Sequence, residues 1–235
     1  SPSSQTTSPS SSSSQVSSVP INTPAYGVPT YSRPSVIDIT PGAVSTLTGR
    51  SLLVSLPGLH DAVGTYDQLH VSAHGATVAN KTVLGDLVIT SDVKNGWVVL
   101  ENILVKGNIL LYGGGTVTLR DVTAAGMTAV RADAGVTNIL LEGDTTVQNL
   151  TARHHITIDE DGLTPGFDGI RRITTSTGIP LWQSVTIIDG TIDAFTTQVM
   201  TNLNVLKGAR VLLVTAQAQT HIEGDGTVGK LIVEN

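Results

Sequence analysis

The strongest constraint on this chain is the stretch from Trp97 to Val122, where short apolar runs are separated by glycines. Valine, leucine and isoleucine occupy alternate positions within each run, as at Val98 and Leu100. No run places apolar residues at helical spacing. The stretch therefore predicts short β-strands with one buried and one outward face.

The strand pattern repeats along the chain. The unit V-x-L-x-x-[IV] begins at Val98 and again at Val117, an offset of 19 residues. Residues 141–152, LEGDTTVQNLTA, align without a gap on residues 222–233, IEGDGTVGKLIV, at an offset of 81. That offset corresponds to about four turns of a coil of roughly 20 residues. The repeats therefore predict a solenoid in which each coil contributes two or three short strands.

The run TVLGDLVITSDVKNGWVVLENILVKGNILLYGGGTVTLRDVTAAGMTAV, followed by LLEGDTTVQNL, resembles a known kind of repeat. It is similar to the right-handed parallel β-helix repeats of pectate-lyase-like architecture in secreted proteins of Gram-positive bacteria. The resemblance covers residues 80–160 well and 200–235 in part. It implies an all-β, right-handed parallel β-helix at the bacterial cell surface, where such repeats accompany S-layer homology modules.

Three parts are expected along the chain. Residues 1–18 are dominated by serine and predict a disordered linker, because they cannot bury enough apolar surface to fold. Residues 19–67 predict an extended arm and an N-terminal cap, since the end repeats of solenoids are usually atypical. Residues 68–235 predict a parallel β-helix, with about seven coils counted from residue 80 onward. Glycines and prolines interrupt this pattern at 159–182, which predicts an inserted loop.

Composition and charge exclude several classes of protein. The chain has 40% hydrophobic but only 3% aromatic residues, which suits a narrow aliphatic core. A net charge of −6, without a run of Lys or Arg, argues against nucleic acid as a partner. No apolar run is long enough to span a bilayer, so membrane insertion is not expected. With no cysteine the chain cannot form disulfides.

The acidic segment HHITIDEDGLTPGFDG holds the candidate metal ligands Asp159, Asp161 and Asp168. Carboxylates on a glycine-containing loop are the hard oxygen ligands that Ca²⁺ prefers, so Ca²⁺ is the cofactor considered. The opening resembles an EF-hand, but its twelfth position is Ile170 rather than Glu. A solvated acidic loop and a catalytic acid pair are the alternatives.

Three aromatic residues are candidates for binding glycans. Trp97, Tyr112 and Trp182 have faces suited to stacking on pyranose rings. The alternative is a packing role, in which these rings cover coil edges or lie beneath the inserted loop. Both interpretations stay open at the level of sequence.

The resemblance also raises the hypothesis of an enzyme, because many β-helix proteins cleave polysaccharides. Lyases of this architecture hold Ca²⁺ with carboxylates and use Arg or Lys as base, whereas the hydrolases use clustered Asp residues. The Asp-Asp pair and the Gly-His-Gly of polygalacturonases are missing, and Ala73-His74-Gly75 is the only similar triplet. No catalytic residue is therefore assigned.

The sequence as a whole favours a non-catalytic scaffold module of a large extracellular bacterial surface protein, with weak glycan or protein binding. Its partners would be an extracellular polysaccharide or neighbouring modules of the same protein. The alternatives are a carbohydrate-binding module of a glycan-degrading enzyme and a Ca²⁺-dependent polysaccharide lyase or hydrolase.

Overall fold

A computed structural model of the chain describes residues 51–131, 133 and 135–234, and the backbone of Ile37 and Asp38. The predicted linker and most of the predicted arm lie outside the described residues. The described residues form an all-β, right-handed parallel β-helix of about 10 turns. The predicted fold class is therefore confirmed, but the predicted count of about seven coils is too low.

The strands are short, and each coil has three strand segments. The longest strands, β8 and β9, run through all three segments of a coil. The described elements are β1 (Ile37–Asp38), β2 (Ser51–Val54), β3 (Gly58–His60), β4 (Gly64–Tyr66), β5 (Gln68–Val71), β6 (Ala76–Val83), β7 (Leu87–Ile89), a 3₁₀-helix (Ser91–Val93), β8 (Trp97–Leu111), β9 (Thr116–Ala129), β10 (Thr137–Gly143), β11 (Thr146–Ala152), β12 (Ile156–Leu163), β13 (Gly169–Thr175), β14 (Gln183–Ile187), β15 (Thr191–Thr197), β16 (Thr201–Val205), β17 (Arg210–Ala216), β18 (Thr220–Glu223) and β19 (Thr227–Val233).

One inward position of each coil forms an apolar column along the whole solenoid. Each member pairs in parallel register with the next, in the order Leu52, Leu69, Leu87, Ile109, Met127, Leu150, Ile173, Phe195, Val214 and Leu231. All members except Leu231, in the last coil, are buried. Burying a side chain of this size contributes about 1.5–3 kcal/mol, so the column is a main source of stability.

The short strands of the first coils explain why the sequence underestimates the number of coils. The strands β2 to β5 and β7 have only three or four residues, too few for an alternating pattern to stand out. They nevertheless pair in parallel with the following coils. From Ser51 onward, the segment assigned to the N-terminal cap is therefore built as a coil, and its role as a cap stays a prediction.

Both sequence repeats match the register of the strands. Val98 pairs with Val117 and Leu100 with Leu119, so the offset of 19 residues is one coil. The offset of 81 residues is four coils, because Leu150 reaches Leu231 through Ile173, Phe195 and Val214. The solenoid predicted from these repeats is confirmed.

A left-handed backbone position turns the chain between the first and second segments of several coils. Asn80, Asn102 and Asp121 have φ values of 61°, 49° and 55°. They stack on successive coils, since the residues on either side of them are in register. The side chain of Asn102 donates a hydrogen bond of 2.8 Å to Oδ1 of Asn80. Asn and Asp tolerate this conformation better than other residues that carry a Cβ.

Replacing Asn102 tests this corner. We expect Asn102→Ala to lower the free energy of unfolding by about 1–2 kcal/mol, because alanine is strained at positive φ and the side-chain bond is lost. Asn102→Gly should cost less, since it removes only the bond. Urea unfolding gives both values. Asn138→Ala is the control for an exposed asparagine outside the left-handed region. A cost for Asn138→Ala equal to that of Asn102→Ala would contradict the role of the corner.

The predicted inserted loop is partly regular. The end of β12 and the whole of β13 lie within residues 159–182, and the residues that leave the coil are 164–168 and 176–182. The step from β12 to β14 is accordingly long, with Ile156 paired to Val185. Within the described residues, no helix has the length and apolar character needed to cross a membrane.

Candidate functional site

The two tryptophans lie in separate places along the rod. Trp97 begins β8, is 45% exposed and meets the His74 ring edge-on at 6.0 Å. Trp182 precedes β14, is also 45% exposed and lies 4.4 Å from the His155 ring. Four coil steps separate them, which corresponds to a rise of about 19 Å. Each indole is therefore a separate contact point.

Tyr112 takes the packing role among the three candidate aromatic residues. It is 5% exposed and packs in a small cluster with Val88 and Val130. Its ring follows directly after β8 and covers the outer side of the neighbouring strands. The structure thus leaves Trp97 and Trp182, and not Tyr112, with an open face for a ligand.

The three candidate metal ligands do not form one cluster. The backbone N–H of Asp161 donates to Oδ1 of Asp159 at 3.1 Å. Asp168 instead forms an ion pair with Arg171 at 2.6 Å. In the part of the chain that the structure describes, no group of three or more His, Cys, Asp and Glu side chains could hold a metal ion. The Ca²⁺ hypothesis stays a prediction without a preformed set of ligands.

Arg171 links two of the carboxylates around the inserted loop. Besides Asp168, its guanidinium lies 3.7 Å from the carboxylate of Asp193 on β15. All three side chains are at least 41% exposed, so these ion pairs contribute little to stability. Their effect is to hold the end of the loop beside the next coil.

Glu160 belongs to the acidic segment but was not among the candidate metal ligands, and it is the most deeply buried carboxylate of this region. It is 5% exposed and accepts a hydrogen bond of 2.7 Å from the backbone N–H of Ile170. The backbone N–H of Thr191 donates to it as well. The alternating pattern contained the signal for its burial, because Ile156, Ile158 and Glu160 share one inward phase of β12. Glu160 therefore ties β12 to the starts of β13 and β15.

Burial raises the pKa of Glu160 to about 7, and the backbone hydrogen bonds from Ile170 and Thr191 oppose this rise. The negative charges of Asp189 and Asp159 raise the pKa further. A carboxyl with such a pKa can act as a proton donor near neutral pH. Its oxygens already serve the backbone, however, so the geometry gives it a structural role.

Three cavities on the described part of the rod each have a volume of about 430 Å³ or less. One of these cavities adjoins Glu160. This cavity has a volume of about 340 Å³ and lies between the inserted loop and the turn before β15. Phe167 and Asp168 line it from the loop, and Thr191 and Asp193 from the next coil. Carboxylates dominate its polar lining, so it is a poor fit for acidic polysaccharides.

Two glycines test how closely the backbone packs on Glu160. A methyl group on Gly190, whose φ is 100°, would overlap Oε2 of Glu160. Gly166 has nearly the same φ, 97°, but no atom lies within 4 Å of the same position. We expect Gly166→Ala to cost about 1 kcal/mol from backbone strain alone, and Gly190→Ala to cost at least about 2 kcal/mol more.

Thermal and urea unfolding of the two glycine variants measure this difference, because the strain at positive φ is common to both. Equal costs would mean that Glu160 moves aside without loss. That result would contradict its role as a fixed acceptor between the coils.

A buried cation, Lys81, is a residue that the sequence did not single out. It is 2% exposed, and its ammonium group donates to the carbonyl oxygens of His60, Ala62 and Ala79. Burial lowers its pKa to about 8, and the charge of Asp61 partly opposes this. The three carbonyls satisfy its three donors. Lys81 therefore closes the corner between β3 and β4 and is not available to a ligand.

The fold and these contacts define a right-handed parallel β-helix with a small acidic cavity and two exposed tryptophans. No protein family, curated protein or solved structure matches the chain significantly.

Proposed function

We propose that the chain is a non-catalytic structural module, a stiff spacer or scaffold within a large extracellular bacterial surface protein. The observation that supports this most directly is the continuous hydrophobic core. One cluster of buried side chains extends from Leu52 in β2 to Val214 in β17 without a break. About 10 turns at a strand spacing of about 4.8 Å make a rod about 48 Å long.

The contacts of the polar residues support the same proposal. The buried groups Glu160 and Lys81 bond to backbone groups of their own coils and of the neighbouring ones. The exposed guanidinium of Arg171 forms ion pairs with Asp168 on the inserted loop and with Asp193 on the next coil. Such contacts fix the shape of the solenoid and leave few groups for chemistry. The extracellular surface context rests on the resemblance of residues 80–160 to β-helix repeats of secreted Gram-positive proteins.

The scaffold proposal is tested with a panel of neutral and acidic polysaccharides, each incubated with the purified chain with and without Ca²⁺. We expect no release of reducing ends or unsaturated products, and no effect of Ca²⁺ on the melting temperature. Product release that disappears in Glu160→Gln or Asp168→Asn would show that the protein is an enzyme and would overturn the scaffold proposal. Asp225→Asn, in the last coil, is the matched control.

A second candidate function is carbohydrate binding, which the surroundings of Trp182 favour. The indole lies 4.4 Å from the His155 ring at a tilt of 52°, and Leu181 and Ile179 beside it are 65% and 46% exposed. An exposed aromatic face next to apolar groups can stack on the C–H face of a sugar. Retention on immobilised glycans should then be lost in Trp182→Ala. Equal retention of this variant and the wild type would exclude binding at Trp182.

A further inference from the structure

A buried polar node lies at the corner before β10 and β12. The imidazole of His154 is 0% exposed. Its Nδ1 accepts a hydrogen bond of 3.2 Å from the backbone N–H of Arg131, and its Nε2 lies 3.0 Å from Oγ1 of Thr137. His154 therefore joins the corner after β9 to the start and the end of the next coil.

The hydrogen-bond partners of His154 determine which nitrogen of its ring carries the hydrogen. The Thr137 hydroxyl donates its hydrogen to the carbonyl oxygen of Gly114 at 3.0 Å, so its oxygen is left to accept. Nε2 of His154 must then carry the hydrogen, and Nδ1 must offer a lone pair to Arg131. A second proton on Nδ1 would point at the Arg131 N–H. The backbone of Ala129 also hydrogen-bonds to the ring, but its carbonyl oxygen already accepts from the backbone N–H of Arg153 at 2.8 Å. The contacts of the node thus favour the neutral imidazole.

The cationic groups around His154 also oppose its protonation, and Asp133 offsets them in part. The guanidinium of Arg131, 1% exposed, donates to Gly114, Val136 and the side chain of Asn95. Asp133 pairs with this guanidinium at 2.7 Å and is, among the described residues, the one carboxylate close to it. Within the same residues, His155 is the other titratable neighbour. A protonated His154 would add a second cation to a buried group that has a single, half-exposed counter-charge.

We propose that this node is an acid-sensitive latch, in which protonation of His154 releases the corner containing Arg131, Asp133, Gly135 and Val136 while the coils on either side stay paired. The released N–H of Arg131 and the imidazolium would both gain water. Val136, which is 44% exposed in the closed state, would lose its bond to the guanidinium. The rod would thereby acquire a local opening at low pH.

The pH range follows from the sign of the pKa change. The pKa of His154 is lowered from 6.5 to about 4, mainly by burial and in smaller part by the charges of Arg131 and His155. A backbone hydrogen bond with Ala129 and the charge of Asp133 oppose this change. The open corner binds the proton more readily than the closed one. Its closure is therefore fully favourable above pH 6.5 and is lost as the pH falls through about 4.

The test is ¹⁵N NMR of the labelled chain from pH 7.5 to pH 3.5, with long-range ¹H–¹⁵N correlations for the imidazoles. We expect the Nε2–H tautomer of His154 at neutral pH. Its titration near pH 4 should coincide with the loss of the dispersed amide signals of Gly135 and Val136. The signals of Leu69 and Val214, each three coils away from this corner, should persist.

A variant pair assigns the transition to one group. His154→Gln keeps an acceptor and a donor without a titrating ring, so its corner should stay closed at pH 4. His155→Gln is the control and should open as the wild type does. Titration of His154 near pH 6.5 without a change at the corner would overturn the proposal. Opening of the corner in His154→Gln at the same pH would also overturn it. If that variant does not fold, the wild type decides, because the simultaneous loss of all its amide signals would overturn the proposal as well.

Discussion

Arg131→Met should lower the free energy of unfolding by about 3 kcal/mol. The side chain is 1% exposed and donates to the carbonyls of Gly114 and Val136, both at 3.2 Å. Methionine fills much of the same volume but donates no hydrogen bond, so Val136 and Asn95 lose the guanidinium. Gly114 keeps only the Thr137 hydroxyl. A hydrogen bond to a charged group contributes about 1.5–3 kcal/mol. The loss of the ion pair with Asp133 adds to this. Equilibrium unfolding in urea measures the change.

Arg120→Met is the matched control for the loss of an arginine. Arg120 pairs with Glu101 at 3.3 Å and Glu142 at 2.7 Å, but its side chain is 44% exposed. Exposed ion pairs contribute at most about 1 kcal/mol, so this variant should be close to the wild type. If both variants lost the same stability, the buried node would have no special role.

Phe195→Ala should be the most damaging change in the apolar column, with an expected loss of about 3–5 kcal/mol. Phe195 is fully buried and stacks between Ile173 and Val214. Removing its ring opens a cavity that a rigid stack of strands cannot close. Because coils in the middle of a solenoid hold its two ends together, cooperativity should fall as well as stability.

The other phenylalanine of the chain provides the control. Phe167 is 43% exposed on the inserted loop, so Phe167→Ala should change the free energy of unfolding by less than about 0.5 kcal/mol. Differential scanning calorimetry of both variants gives the stabilities, and the ratio of calorimetric to van't Hoff enthalpy gives the cooperativity. A single sharp transition at the wild-type temperature in Phe195→Ala would contradict the continuous core.

The fold could be predicted because its stability depends on a pattern that the sequence displays openly. The pairs Val98–Val117 and Leu100–Leu119 have the same spacing in the sequence and in the register of the strands. Parallel in-register stacking converts a repeat directly into contacts between neighbouring coils. The number of coils was harder to predict, because strands of three or four residues such as β3 and β7 show no clear alternation.

The polar contacts could be predicted only in part. His154 and Glu160 share the inward phase of Ile156 and Ile158, so their burial follows from alternation. Their partners do not, because these are backbone groups of other coils and of corners. Arg131 lies just beyond the end of β9, where the alternating pattern stops. Its burial depends on how the corner folds back, which no local pattern indicates.

The stacking of the coils can be measured directly as distances between pairs of spin labels by pulsed electron–electron double resonance. The chain has no cysteine, so labels attach only where cysteine is introduced. The outward positions Leu110, Thr128, Thr215 and Ile232 belong to one column of paired residues. Labels at 128 and 215 are four coils apart, labels at 110 and 215 five, and labels at 110 and 232 six.

The solenoid predicts distances of about 19, 24 and 29 Å for these three pairs, with a constant increment of about 4.8 Å per coil and narrow distributions. Replacing residues on the outward face leaves the apolar column intact, so the labelled chains should unfold as the wild type does. Distances that did not increase by equal steps, or broad distributions for all three pairs, would contradict a rigid rod of stacked coils.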